Sequence, residues 1–170
     1  MVVTSVATSV ATSVVAGVCW LPPVHAPVVD PFRPPACVWC EGNRGIQYGT
    51  GPGVTVRAVA TGTVTFTGTV AGIGYVVVRH ADGRRATYGG VVGRPPSVGA
   101  VVIARAPVGT THRDLHFGLR DGDRYVDPAA HLGRSTHRAR LVPLDGSPAR
   151  PAPPPRPRCG SARRARPPNR

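Results

Sequence analysis

Tyr75-Val76-Val77-Val78-Arg79-His80-Ala81-Asp82-Gly83-Arg84-Arg85-Ala86-Thr87-Tyr88 is the stretch that decides the fold. Two runs rich in β-branched and aromatic residues flank Asp82-Gly83, a dipeptide suited to a tight hairpin because such turns need positive φ. Outward from this hairpin the same grammar repeats. Val54-Thr55-Val56-Arg57-Ala58 alternates, and so does Gly62-Thr63-Val64-Thr65-Phe66-Thr67-Gly68. Asp114-Leu115-His116-Phe117-Gly118-Leu119-Arg120 alternates again, turns at Asp121-Gly122-Asp123 and returns through Arg124-Tyr125-Val126. Before Pro128 to Leu132, which can make one turn, no segment keeps a helical period for two turns. The pattern predicts an all-β fold, a small antiparallel β-sheet domain.

Composition agrees. The 170 residues include 21 Gly and 20 Pro, close to a quarter of the chain, and such residues end strands and populate turns. With three Phe, two Trp and four Tyr, a core must be built from Val, Ala, Leu and Ile. All 21 basic residues are Arg, a bias that a GC-rich genome explains. The net charge of +13 suggests a polyanion partner until it is mapped. Residues 30–132 carry 11 Arg against seven acids, whereas residues 133–170 carry ten Arg against Asp145 alone. That basic segment has no aromatic residue to stack on bases, so no specific nucleic-acid partner is expected.

Three segments follow. Residues 1–29 hold a Thr-Ser-Val-Ala echo, then the apolar run Val14 to Leu21, then Val24-His25-Ala26; with no Arg or Lys before the apolar part, either the true start lies elsewhere or this is a divergent export leader. Residues 30–132 are the β-domain. Residues 133–170, with Pro151-Ala152-Pro153-Pro154-Pro155 and Arg163-Arg164-Ala165-Arg166, read as a disordered tail that cannot bury enough apolar surface to offset ordering. Cys37-Val38-Trp39-Cys40 is half of a zinc ribbon without its second half, and reads as a short-loop disulfide or two free thiols.

The β-domain resembles the LytM/lysostaphin type of zinc endopeptidase over about Trp39 to Leu132. The resemblance rests on seven pieces in order: Asn43-Arg44-Gly45-Ile46-Gln47, Val56-Arg57-Ala58, Gly62-Thr63-Val64 with Gly68, Gly72-Ile73-Gly74-Tyr75-Val76-Val77-Val78-Arg79-His80, Thr87-Tyr88-Gly89-Gly90, Asp114-Leu115-His116-Phe117 and Val126-Asp127-Pro128. Members of that family show His-x-x-x-Asp, then T-Y-x-H, then H-L-H-F at the corresponding places. The resemblance implies a zinc ion held by the first His, the Asp and the second His of His-x-His, with the other His as base. Zinc would lower the pKa of its bound water to about 7 and polarise a peptide carbonyl of peptidoglycan.

Placed on this chain, the ligand positions are Asn43, Gln47 and His116, and the base position is Asp114. Only His116 is retained. Carboxamides are poor zinc ligands beside imidazole or carboxylate, so no cofactor is expected. The His that follows T-Y-x is Gly90 here. His80 matches a strand-end His usually near the groove, with plain solvent contact as the other reading; Tyr88 is assigned to the groove wall and Phe117 to wall or core. Between Thr87-Tyr88 and His116 one of two family turns is absent, which implies a shortened wall.

The expected function is therefore a degenerate, non-catalytic LytM-like domain, extracytoplasmic or secreted. Its partners would be peptidoglycan stem or cross-bridge peptides, or a cell-wall amidase that it activates. The alternative is an active zinc endopeptidase with a site rebuilt around Asp114 and His116, with His112 nearby. A third reading is a foldable product without function. The tail assignment makes a prediction: removing residues 146–170, which hold seven Arg and no acid, should leave the fold intact and abolish most salt-sensitive adherence to DNA. Filter binding at low and high salt checks it; salt-resistant DNA binding by the shortened chain would reopen a nucleic-acid function.

Overall fold

The Asp82-Gly83 turn does close a hairpin, between β5 (Ile73–His80) and β6 (Arg85–Val92), with Arg79 opposite Arg85 and Tyr75 opposite Gly89. The computed structural model describes residues 20–37, 39–136 and 156–158. The remaining strands of the main sheet are β1 (Val28–Asp30), β2 (Gly45–Tyr48), β3 (Thr55–Arg57), β4 (Gly62–Val70), β7 (Val101–Val102), β8 (Pro107–Asp121) and β9 (Arg124–Val126). They form one nine-stranded sheet in the order β1-β2-β8-β6-β5-β4-β7, with β3 and β9 also paired to β8. Every pairing is antiparallel. Pro128–Ala130 makes one turn of 3-10 helix, started by the Asp127 carboxylate accepting from the Ala129 N–H at 2.9 Å.

β8 is the axis. Sequence alternation finds only its second half; the strand begins seven residues earlier, at Pro107. One edge pairs with β6 along its length, and the other edge serves β3, β2 and β9 in succession. Alternation divides the central strands into two faces. Val76, Val78, Ala86, Tyr88, Leu115, Phe117 and Leu119 point to one side and are buried. Their neighbours Tyr75, Arg79, Thr87, His116 and Arg120 point to the other side and keep partial or full exposure.

Two of the expectations for this region need correction, and a third is decided between its two readings. Tyr88 is core rather than groove wall: it is fully buried, packs on Phe117 at 5.3 Å between ring centroids, and its hydroxyl accepts from the Val59 N–H at 3.0 Å. Phe117 shares that core. His80 neither lines the groove nor meets solvent. It is buried on the core side, its Nδ1 lies 3.0 Å from the Thr61 carbonyl oxygen, and its ring lies 4.5 Å from that of Trp20. Alternation with Val76 and Val78 is the cause, since His80 shares their parity.

The β-domain also reaches further than residues 30–132. Trp20 is 2% exposed and pairs with Leu132, and Val24 is buried beside it. The Leu21 N–H donates to the Val59 carbonyl, the Arg57 N–H to that of Pro23, and Arg105 to that of Pro22. Residues 20–29, assigned by composition to the leader, therefore cover one end of the core; residues 1–19 lie outside the described part. Within the segment read as a disordered tail, β10 (Arg134–Thr136) pairs with β11 (Arg156–Arg158). Backbone pairing needs no buried side chain, which is how an Arg/Pro composition can still form this ladder. Residues 137–155 and 159–170 lie outside the described part. Cys37 and Cys40 form the short-loop disulfide.

Two predictions follow from the Trp20 corner. Trp20→Ala should lower stability by roughly 3–5 kcal/mol, the usual cost of emptying a buried Trp site, and equilibrium urea unfolding measures it. A loss near zero would mean that residues 20–26 do not belong to the folded domain. The second concerns pH. Burial lowers the His80 pKa below its ordinary value, despite the Thr61 carbonyl, and burial with Arg84 nearby lowers that of His131. The unfolded chain then binds more protons below about pH 6.5. Stability should be complete above that pH and fall as pH drops toward the folded-state values. His80→Asn, which keeps a donor near Thr61, should show a shallower decline between pH 7 and 5.

Candidate functional site

The face opposite the core carries the site. Gln47 on β2 stands directly across from His116 on β8, and His116 stands across from Gly89 on β6. Directly opposed side chains in an antiparallel pair lie about 5 Å apart at Cβ. The sheet thus brings together two of the family positions identified in the sequence. The His116 ring reaches across to β2, where an added Cβ at Gly45 would meet its Cε1 and Nε2 at 2.8 Å. Only glycine at 45 leaves room for that ring. Burial lowers the His116 pKa, with the Asp30 carboxylate opposing.

Asn43 is close by but otherwise engaged. It is 8% exposed, its Nδ2 donates to the carbonyls of Asp30 and Pro31, both at 3.2 Å, and its Oδ1 accepts from the Gly45 N–H at 3.2 Å. The carboxamide clamps the end of β1 against the start of β2. Its oxygen, the atom that would have to bind a cation, is already an acceptor inside this clamp.

Asp114 arrives by a different route. Between the pairs His116–Gly89 and Thr111–Val91, β8 runs five residues while β6 runs two. The three extra residues form a bulge, the device that commonly re-aims side chains beside a site. His112, Arg113 and Asp114 are all exposed on it, and Thr50 Oγ1 donates to the Arg113 carbonyl at 2.6 Å. Opposite the bulge, Gly90 has φ +82°, and a Cβ there would lie 2.5 Å from the Asp114 carbonyl oxygen. The local backbone suits glycine and would strain the histidine that the T-Y-x-H pattern places there.

These residues border an open cleft of about 750 Å³, lined by Gln47, Tyr75, Gly90, His112, Asp114 and His116 among others. A second hollow of about 500 Å³ shares Gln47, Tyr75 and His116 and continues past Asn43 to Arg120 and Tyr125. Tyr75, common to both, stands inside the Gly72–His80 motif, which gives it no role. Its parity, opposite to that of buried Val76 and Val78, is the signal that would have found it.

Zinc does not fit this donor set. Of the three ligand positions, one carboxamide is consumed by backbone bonds, one is the neutral Gln47, and only His116 offers an imidazole. The rebuilt set of His112, Asp114 and His116 shares a cleft, yet among the described residues no three His, Cys, Asp or Glu side chains group closely enough to hold a metal ion.

Known proteins place this geometry. The model of peptidase family M23 matches residues 41–128. An uncharacterized protein of Mycobacterium tuberculosis is 34% identical over 136 residues, covering 67% of this chain and 54% of the relative. The chain spans about half the length of the curated relatives it matches. Among solved structures, the SpoIIQ–SpoIIIAH pore-forming complex contains a chain similar in fold (TM-score 0.61, 19% identity, 69% of this chain and 92% of that one). The catalytic domain of the prophage-encoded M23 protein EnpA from Enterococcus faecalis is also similar (TM-score 0.54, 23% identity, 65% and 95%).

Restoring the ligand set tests the placement. Asn43→His, Gln47→Asp and Asp114→His together should produce zinc binding seen as a rise in melting temperature on zinc addition, as binding to the native state requires. Without zinc the triple variant should be less stable than wild type by about 1–3 kcal/mol, because the Asn43 clamp is lost. Each single change should gain no zinc response, since a site needs its full ligand count. A triple variant that folds and ignores zinc would show that positions 43, 47 and 116 do not converge.

Proposed function

The chain belongs to peptidase family M23, and from that premise we propose that it is a non-catalytic member that works outside the cytoplasm by holding peptidoglycan peptides in its groove. The observation carrying this reading is the combination of an open cleft with a spent ligand position. The Gln47–His116–Gly89 row is kept, while the Asn43 carboxamide is locked into backbone bonds. What remains can bind but lacks the means to activate water. Tyr75 offers an aromatic face, and Gln47 and Asp114 offer polar groups, along the two hollows that share this row. That mixture suits an extended peptide, with few oriented polar groups over a largely preformed surface.

A protein partner such as a cell-wall amidase would use the same face, and the fold's occurrence within the SpoIIQ–SpoIIIAH complex is consistent with docking. The altered-site endopeptidase is the competing reading, favoured by the presence of His112, Asp114 and His116 around one cleft.

Incubation of the full chain with purified peptidoglycan separates these. The proposal predicts that the chain co-sediments with sacculi and releases no new peptide ends, with or without zinc. Tyr75→Ala should weaken co-sedimentation about tenfold, in the range of aromatic anchors. Release of peptides that stops on chelation would replace this reading with the enzyme; absence of any binding to sacculi would remove the peptidoglycan partner.

A further inference from the structure

The pairing register stacks three rows of side chains across the open face. Tyr75, Gly89, His116 and Gln47 form the first, and Val77, Thr87, Gly118 and Gly45 the second. The third is Arg79 on β5, Arg85 on β6 and Arg120 on β8, each directly opposite the next, ending at Tyr125 on β9. Three guanidinium groups side by side repel one another, and like charges directly opposed weaken a sheet. Their compensation within the protein is thin. Asp123 lies 3.4 Å from Arg85 and 3.5 Å from Arg120, but its side chain is 99% exposed and serves both. Such solvent-exposed pairs count for little.

The row is held in place all the same. Arg85 Nη2 donates to the Gly122 carbonyl at 2.6 Å, and the Arg120 guanidinium sits 4.9 Å from the centroid of the Tyr125 ring. Arg120 Nε is buried with no partner among the described residues. Arg79 is exposed, and no hydrogen bond or ion pair engages its side chain among the described residues. The three face a hollow of about 590 Å³ that also touches Thr65, Val77 and Thr87. Thr87 and Arg120 are shared with the hollow that runs to Gln47 and His116, so the two adjoin.

Four residues of strand separate the arginine row from the Tyr75–His116 row, about 13 Å at the ordinary rise per residue. An extended peptide covers that span with four residues of its own. We propose that Arg79, Arg85 and Arg120 form a carboxylate-binding subsite at one end of the groove, taking the acidic end of an extended peptide whose other residues lie over Thr87 and the Tyr75–His116 row. The subsite rests on the peptide-groove reading for its full ligand, though its affinity for an anion does not. Guanidinium forks pair with carboxylates through two parallel hydrogen bonds, which gives direction as well as charge. An anionic peptide end would supply the countercharge that a single exposed Asp123 provides poorly.

Two measurements on the full chain test the subsite. In the first, tri-glutamate is titrated into the chain and followed by NMR. Saturable shifts are expected at Arg79, Arg85, Arg120 and Tyr125, and Arg79→Glu should weaken the binding at least about tenfold, as loss of a charge-assisted contact does. Arg79→Glu breaks no internal side-chain bond and relieves repulsion with Arg85, so its melting temperature should equal or exceed that of wild type; the combined variant Arg79→Gln, Arg85→Gln, Arg120→Gln should bind tri-glutamate no better than Arg79→Glu. A tail control carrying Arg163→Gln, Arg164→Gln and Arg166→Gln should bind tri-glutamate as wild type does. Absence of saturable binding, or equal weakening by the tail control, overturns the proposal.

In the second, binding to sacculi is compared before and after amidation of their carboxylates, and before and after removal of phosphate polymers with hydrofluoric acid. Amidation should erase the difference between wild type and Arg79→Glu, and phosphate removal should leave it. The reverse pattern overturns the carboxylate assignment in favour of a phosphate polymer. Tri-glutamate binding through the row without any binding to sacculi would leave the subsite standing and remove the peptidoglycan reading instead.

Discussion

A single strand, β8, carries the architecture. Its fifteen residues from Pro107 to Asp121 pair with β6 on one edge and with β3, β2 and β9 on the other. Because successive residues of a strand face opposite ways, β8 fixes both sides of the molecule at once. Leu115, Phe117 and Leu119 are fully buried at the centre of the core. His116, Gly118 and Arg120 are placed by the same alternation on the open face. A slip of one residue in the β2–β8 or β6–β8 register would exchange the two sets, burying a histidine and an arginine and exposing the core. Hydrophobic burial on one face therefore dictates the geometry of the other.

The site is built from that constraint together with one departure from it. The regular part of β8 sets His116 opposite Gln47 and Gly89. The bulge before it releases His112, Arg113 and Asp114 from strict alternation and turns all three outward along the cleft. Gly90, with positive φ, accommodates the bulge from the facing strand. Below the site, Asn43 joins the ends of β1 and β2 through three hydrogen bonds. A histidine in its place would exchange this clamp for a metal ligand. The open face thus keeps its cleft while the Asn43 carboxamide beside it belongs to the scaffold.

Much of this was legible in the sequence. The Asp82-Gly83 and Asp121-Gly122-Asp123 turns sit where the chain reverses, and the alternating runs are strands, because turn chemistry and period-two burial are local signals. The neighbourhood of Gln47 and His116 was legible only through ordered motifs, since they are far apart in sequence and only the sheet register joins them. Other features depended on tertiary context. His80 and Tyr88 could be placed only by knowing which parity faces the core. The first half of β8 was hidden by Pro107, by Gly109 and by a bulge that breaks the alternation. Trp20 was hidden in an apolar run whose composition suits a leader as well as a core. The Arg79–Arg85–Arg120 row is invisible along the chain, because its members become neighbours only across three strands.

The proposed non-catalytic role requires that the cleft lack a set of side chains able to hold zinc. Zinc stoichiometry of the full chain tests it most directly, by elemental analysis after equilibration with zinc and removal of the excess, with His116→Ala measured in parallel. Far less than one ion per chain is expected, unchanged by His116→Ala, because a lone imidazole beside two carboxamides binds too weakly to survive the removal step. Close to one tightly held ion per chain, lost in His116→Ala, would contradict it and show that the cleft rebuilds a metal centre from residues that the present geometry keeps apart.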